Sequence, residues 1–215
     1  MNDFEKVINF IASRKTDTPT LYGWFHLTWL AVTFIACTVV FVMRKKITRT
    51  QVDLTLVVWG GALILLEVLK QLVVSFKNVD GEAVWQYAWW AFPFQFCSTP
   101  LYLALPAGFL RKGAIKDALY SFLASYAFMG GFVALVYPAN MFTSSAFISA
   151  HTMLWHSSMV VILFMLLASG TVKPCKSAFL RATAVFVILT SLAIILNVII
   201  GECAGAKGVN IFFIS

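Results

Sequence analysis

The chain has 215 residues, of which 60% are hydrophobic and only 12% charged, with a mean hydropathy of +0.86. About a quarter of the residues in soluble domains are charged, so this balance excludes an ordinary soluble domain and marks an integral membrane protein of one-domain length. The net charge of +7 does not point to nucleic acid, because the basic residues sit in short clusters between apolar runs, as membrane loops do.

In chain order, the N-terminus MNDFEKVINFIASRK lacks the basic start and apolar core of a signal peptide. Phe4, Val7, Ile8 and Ile11 recur there at helical spacing, which predicts a short interfacial helix lying on the membrane surface. A helix needs about 20 mostly apolar residues to cross the hydrocarbon layer. Six such runs follow: Leu21–Met43, Val52–Phe76, Trp89–Leu110, Ala118–Tyr137, Ala146–Ser169 and Ser177–Ile200. The fold class expected is all-α, a six-transmembrane-helix bundle. The connections are short, no linker separates a second domain, and no internal repeat is present.

Basic residues orient the bundle. The first, third and fifth loops carry Arg44, Lys45, Lys46 and Arg49; Arg111, Lys112 and Lys116; and Lys173 and Lys176, with Arg181 just inside the next run. The second loop sets Lys77 against Asp80 and Glu82, and the fourth has no charge. The positive-inside rule then puts both termini outside, Lys6, Arg14 and Lys15 notwithstanding.

An ionisable group in lipid costs roughly 2.5–3.5 kcal/mol at mid-helix, so each one requires a reason. At about 1.5 Å per residue, Glu67 lies about 13 Å below the outer end of its run, Cys97 about 12 Å, His156 about 15 Å and His151 about 8 Å. Lys70, Gln71, His26 and Asn197 are shallower on the same side, and the inner halves hold almost nothing comparable. This clustering implies a shared cavity open outward or sideways.

Glu67, Lys70 and Gln71 are spaced i, i+3, i+4 and share one helix face. They form either a buried ion pair that holds helices together or an orienting group for a neighbouring imidazole. His151 and His156 are five residues apart, about 140° around a helix, so they cannot both face one target. His26, beside Trp24 and Trp29, reads as interfacial rather than as a ligand. No HxxxH pair is present, and Cys37, Cys97, Cys175 and Cys203 are widely separated, so neither a zinc site nor a disulfide framework is expected. Cys97 lies between Pro93 and Pro100, which loosen the backbone around it. Freed N–H groups there could serve as oxyanion donors. A lone buried cysteine is ordinarily a small apolar residue; an imidazole at matching depth makes it a candidate nucleophile.

Several segments together resemble the bacterial YwaF-like integral membrane proteins and their animal relative, transmembrane protein 164. These are LLEVLKQ (Leu65–Gln71), FPFQFCSTPLYLALP (Phe92–Pro106), GGFVALVYP (Gly130–Pro138), LWHSSMVVILFMLLASG around His156, and LNVIIG with VNIFF. The resemblance implies a membrane-embedded acyltransferase or acyl hydrolase acting on phospholipid-type esters, with Cys97 as nucleophile and His156 as base. It also implies a bacterial cytoplasmic membrane, membrane lipids as acyl donor and acceptor, and no metal or other cofactor. Supporting or substrate-binding roles are expected for Glu67, Lys70, Gln71, Gln95, His151, Asn197 and Asn210. Gln95 stands where the family commonly has histidine, and the chain stops at Ser215, somewhat early for the family. The alternative is a substrate-binding membrane subunit of a vitamin or small-solute transporter, for which vitamin bound to purified material would speak.

Overall fold

A computed structural model describes residues 3–79, 82–138, 141–203 and 209–214. Asp80, Ser215 and the side chains of Phe4, Glu82 and Cys203 lie outside the described residues. The short N-terminal helix is present as α1 (Asp3–Ser13). Its Ile8 is buried against the bundle while Val7 and Phe10 face outward. Beyond it, the Thr16 N–H donates to the Ser144 carbonyl at 2.8 Å, and the Ala146 N–H to the Arg14 carbonyl at 3.2 Å. The N-terminal segment and the fourth loop therefore share one end of the molecule.

Among the described residues, five helices are long and apolar enough to cross a membrane. They are α2 (Trp24–Met43), α3 (Arg49–Ser75), α5 (Ala114–Phe122) running into α6 (Phe128–Val136), α7 (Ala146–Ala168) and α8 (Lys176–Cys203). The α5–α6 helix is continuous through a π-helical turn at Leu123–Ala127. Local sequence fixes several boundaries. At the start of α3, the Thr48 hydroxyl accepts the Gln51 N–H and the Gln51 side chain accepts the Thr48 N–H, a reciprocal capping box. Ser145 caps α7 through the Ile148 N–H. Gly170, at φ +72°, closes the other end of α7 in the left-handed conformation that glycine adopts freely.

The third apolar run departs from expectation. It is not one helix: a single turn at Trp89–Ala91 is followed by extended backbone, a second turn at Phe96–Ser98, and then α4 (Thr99–Phe109). Eleven residues of helix reach about 16 Å, half the hydrocarbon thickness. Pro93 has no N–H and would leave a carbonyl unpaired in a helix interior, whereas Pro100 stands in the first turn of α4, where its missing N–H costs nothing. The second loop also differs. It carries a two-stranded antiparallel ribbon, β1 (Phe76–Val79) with β2 (Glu82–Trp85), in which Phe76 pairs with Trp85.

α4 packs along α3, α5 along α8, and α7 between α2 and α6. The α3–α4 approach is close: a Cβ on Gly108 would come 2.7 Å from the Asp53 carbonyl oxygen, and one on Gly60 would come 3.1 Å from the Leu105 nitrogen. Small residues at such crossings let backbones meet where lipid supplies no hydrophobic drive. The basic loops converge at the opposite end of the bundle. There Arg49 and Arg181 both reach Asp117, at 3.2 and 3.6 Å, and the buried Lys116 pairs with Asp53 at 2.8 Å.

Candidate active site around Cys97

The polar face read from α3 is assembled as expected. Glu67 and Lys70 form an ion pair at 2.8 Å with both side chains largely buried. Gln71 donates to Glu67 Oε1 and to the Ala91 carbonyl, each at 2.7 Å. The ion pair is therefore internal to α3, and the glutamine ties that helix to the broken third segment. Where the chain leaves β2, burial and then the Glu67 carboxylate push the Tyr87 phenol up from its ordinary pKa.

Cys97 occupies the turn just before α4, at the end of that helix where the aligned peptide dipoles are positive. Its carbonyl accepts the Trp155 indole N–H at 3.0 Å, which pins the turn to α7. Phe96 presses on Gly130, where a Cβ would come 2.7 Å from the ring. A residue at position 130 larger than glycine would push the cysteine turn away.

The three histidines separate by their hydrogen bonds. His26, in the first turn of α2, is fully buried. Its Nδ1 accepts the Tyr22 N–H at 3.1 Å, so its Nε2 carries the proton and donates to the Leu135 carbonyl at 2.8 Å. Both nitrogens are used, and His26 is a structural tie. In His156, Nδ1 lies 2.8 Å from the Thr152 carbonyl and must be the protonated nitrogen, which leaves a lone pair on Nε2. That Nε2 is buried and has no partner, and the same is true of Nε2 of His151, which stacks on Trp155 with ring centroids 5.4 Å apart. Neither imidazole is hydrogen-bonded to Cys97.

Buried polar atoms without partners are rare and each calls for a reason. Of the six such side-chain atoms among the described residues, four belong to Gln71, His151, His156 and Ser157, in the same halves of α3 and α7. Unsatisfied hydrogen-bonding capacity is thus concentrated where the sequence placed the polar cluster.

Beside Cys97 opens an apolar cavity of about 770 Å³, a volume typical of ligand sites. It lies between Phe96, the Ser125–Tyr137 stretch of the α5–α6 helix, and Phe179, Phe186 and Thr190 of α8. The stretch from Phe179 to Thr190 covers about 16 Å along α8, so the space is long as well as large.

Gln95, Asn197 and Asn210 serve that cavity's wall. Asn197 clamps Ile211 at two points, Nδ2 donating to its carbonyl at 3.0 Å and Oδ1 accepting its N–H at 2.8 Å. Gln95 holds the neighbouring residues in the same way, Nε2 donating to the Asn210 carbonyl at 3.2 Å and Oε1 accepting the Phe212 N–H at 3.1 Å. The two amides seat the C-terminal segment so that Phe212, at a left-handed φ of 61°, stacks on Phe94 and meets Phe96 edge-on. Asn197→Leu removes both bonds and strands a buried N–H and carbonyl on Ile211. A loss of about 2 kcal/mol or more is expected, read as a lower thermal midpoint by tryptophan fluorescence in detergent. An unchanged midpoint would show that the clamp contributes nothing.

Sequence reasoning missed the Trp155 anchor, the amide clamps and the π-helical turn, whose Ser125 and Tyr126 line the cavity. The first two need partners far along the chain, and the last leaves no periodicity signature.

Fold and site together define a polytopic helical membrane protein with a broken, cysteine-bearing segment beside an apolar cavity. The chain belongs to the TMEM164 family, whose family model matches residues 21–215, in agreement with the relation to transmembrane protein 164 read from its motifs. No curated protein and no solved structure matches it.

Proposed function

We propose that this chain is a membrane-embedded acyltransferase or acyl hydrolase acting on phospholipid-type esters, with Cys97 as nucleophile and His156 as base. The observation that carries the reading is the fixed tautomer of His156, whose buried Nε2 lone pair has no partner, on the helix that also anchors Cys97 through Trp155. An imidazole already carrying its proton on Nδ1 is ready to accept a second at Nε2.

In the first half-reaction the Cys97 sulfur bonds to the ester carbonyl carbon as His156 takes the thiol proton. The tetrahedral oxyanion forms next to the positive end of α4. It collapses by breaking the bond to the lipid alkoxide, which leaves with the proton held on His156, and a thioester remains. In the second half-reaction an acceptor alcohol, or water, gives its proton to His156 and attacks the thioester; the Cys97 thiolate leaves and takes that proton back from His156. Membrane lipids are both donor and acceptor. The cavity beside Cys97 holds the acyl chain, Lys70 meets the lipid phosphate, and Glu67 holds Lys70 in place. The third segment makes a sixth crossing, helical in one half and irregular in the other, and both termini lie outside.

Incubation with a phospholipid bearing a labelled acyl chain, followed by intact mass spectrometry, tests the reading. His156→Gln is expected to slow formation of the Cys97 acyl adduct by about 10²–10⁴-fold, the range of a lost general base. His151→Gln is expected to slow it less than tenfold. The reverse order would transfer the base to His151, and no adduct in the parent protein would end the proposal.

A further inference from the structure

At the end of the bundle where the basic loops meet, a second cavity of about 290 Å³ is enclosed by Arg49 on α3, Asp117 and Ser121 on α5, the Gly170–Lys173 turn after α7, and Cys175 and Arg181 at the start of α8. Its charges are three cations (Arg49, Lys173 and Arg181) against the single carboxylate of Asp117, which both arginines share. Lys116, close by, is fully committed to Asp53 and the Leu110 carbonyl and leaves the cavity's balance untouched. The Arg49 guanidinium lies over the Tyr120 ring, 5.1 Å from its centre, and its Nε is buried with no partner.

Backbone adds to the positive field. The first intrahelical bond of α8 runs from the Phe179 N–H to the Cys175 carbonyl, so the amides just before Phe179 are free at the positive end of a long helix. The opposing negative end of α7 is muted, because the Ser169, Gly170 and Val172 N–H groups already occupy carbonyls of its last turn. Two forked guanidiniums, an ammonium and a helix N-terminus around one polar hollow match the oxygens of a phosphate. The hollow also lies at the ends of apolar helices long enough to cross a membrane, next to the start of α3 and α8 and the end of α7. We propose that it is a second binding site, for the phosphate of an anionic lipid headgroup, separate from the Cys97 site.

The test uses the purified full chain in detergent, with thermal midpoint as readout. Short-chain phosphatidylglycerol is expected to raise the midpoint saturably, and further than phosphatidylcholine of equal chain length, which would stabilise only through the Cys97 cavity. Arg49→Gln with Arg181→Gln should shift the half-saturating concentration up by about tenfold. Asp117→Asn removes the competing carboxylate and should tighten binding several-fold, an outcome a purely structural role for Asp117 does not produce. Cys97→Ala should bind the lipid as the parent does, so that failure of the acyl-transfer reading leaves this one standing. Inorganic phosphate matching the effect of phosphatidylglycerol at equal concentration would keep the phosphate and remove the lipid from the site. A response to phosphatidylglycerol that equals that to phosphatidylcholine, or that is unaltered in both charge variants, would overturn the proposal.

Discussion

Cys97→Ala is expected to abolish acyl-adduct formation and to lower acyl exchange from a labelled phospholipid by about three orders of magnitude or more, as loss of a covalent nucleophile does. The fold should survive the change. What fixes the turn is backbone, the Cys97 carbonyl held by Trp155, together with Phe96 on Gly130, and alanine preserves both. The thermal midpoint is therefore expected to move little while activity disappears. Acyl exchange that continues at the parental rate in a folded Cys97→Ala protein would remove the mechanism, and the cavity would then have to be read as a binding site without chemistry. Cys97→Ser is the informative companion. It keeps an oxygen nucleophile in place but loses the acidity of the thiol, so partial activity would point to position and base as the main contributors, and none to the thiolate.

The largest structural effect is expected at Gly108. A β-carbon there meets the Asp53 carbonyl oxygen, which is backbone and cannot swing away, so the α3–α4 pair has to separate. Gly108→Leu is expected to cost about 3 kcal/mol, at the upper end of overpacking effects, with a matching fall in thermal midpoint and loss of folded yield. Gly61→Leu serves as the control, because nothing lies within 4 Å of its added carbon. Equal tolerance of both leucines would show that the close approach of α3 and α4 is dispensable. Because α4 carries the cysteine turn at its start, the Gly108 variant should also lose acyl exchange in whatever fraction remains folded.

Five membrane-length helices were legible because runs of some 20 apolar residues allow few other structures once charges are confined to loops. Glu67, Lys70 and Gln71 were legible as one face because helical spacing fixes their relative directions, and their pairing follows. Pro93 and Pro100 announced a loosened third segment, but hydropathy counts residues and not hydrogen bonds, so the run from Trp89 to Leu110 read as continuous. The ribbon at Phe76–Trp85 was overlooked for a related reason: short strands between long helices carry little periodicity, although Asp-Gly between short β-rich stretches is a hairpin signal in itself. The burial of His26 was not legible, because its partner is the Leu135 carbonyl, over a hundred residues away. Asn197 attracted attention because polar groups in lipid are costly, and Gln95 because it stands where the family commonly has histidine; the hydrogen bonds of both amides hold backbone.

The π-helical turn at Leu123–Ala127 offsets the residue periodicity of the two halves of the α5–α6 helix by one position, since it takes up a surplus residue that in a regular α-helix would turn everything after it by about 100°. Register, and not only composition, thus decides which side chains of α6 look into the cavity. Excising a single residue from that turn would leave hydropathy, charge and length almost unaltered. It would convert the π-helical turn into an ordinary α-helical one and leave Gly130 facing Phe96, because the turn is where the surplus residue is absorbed. For this stretch of the chain an alignment gap of one position is a smaller event than the same gap further along α6.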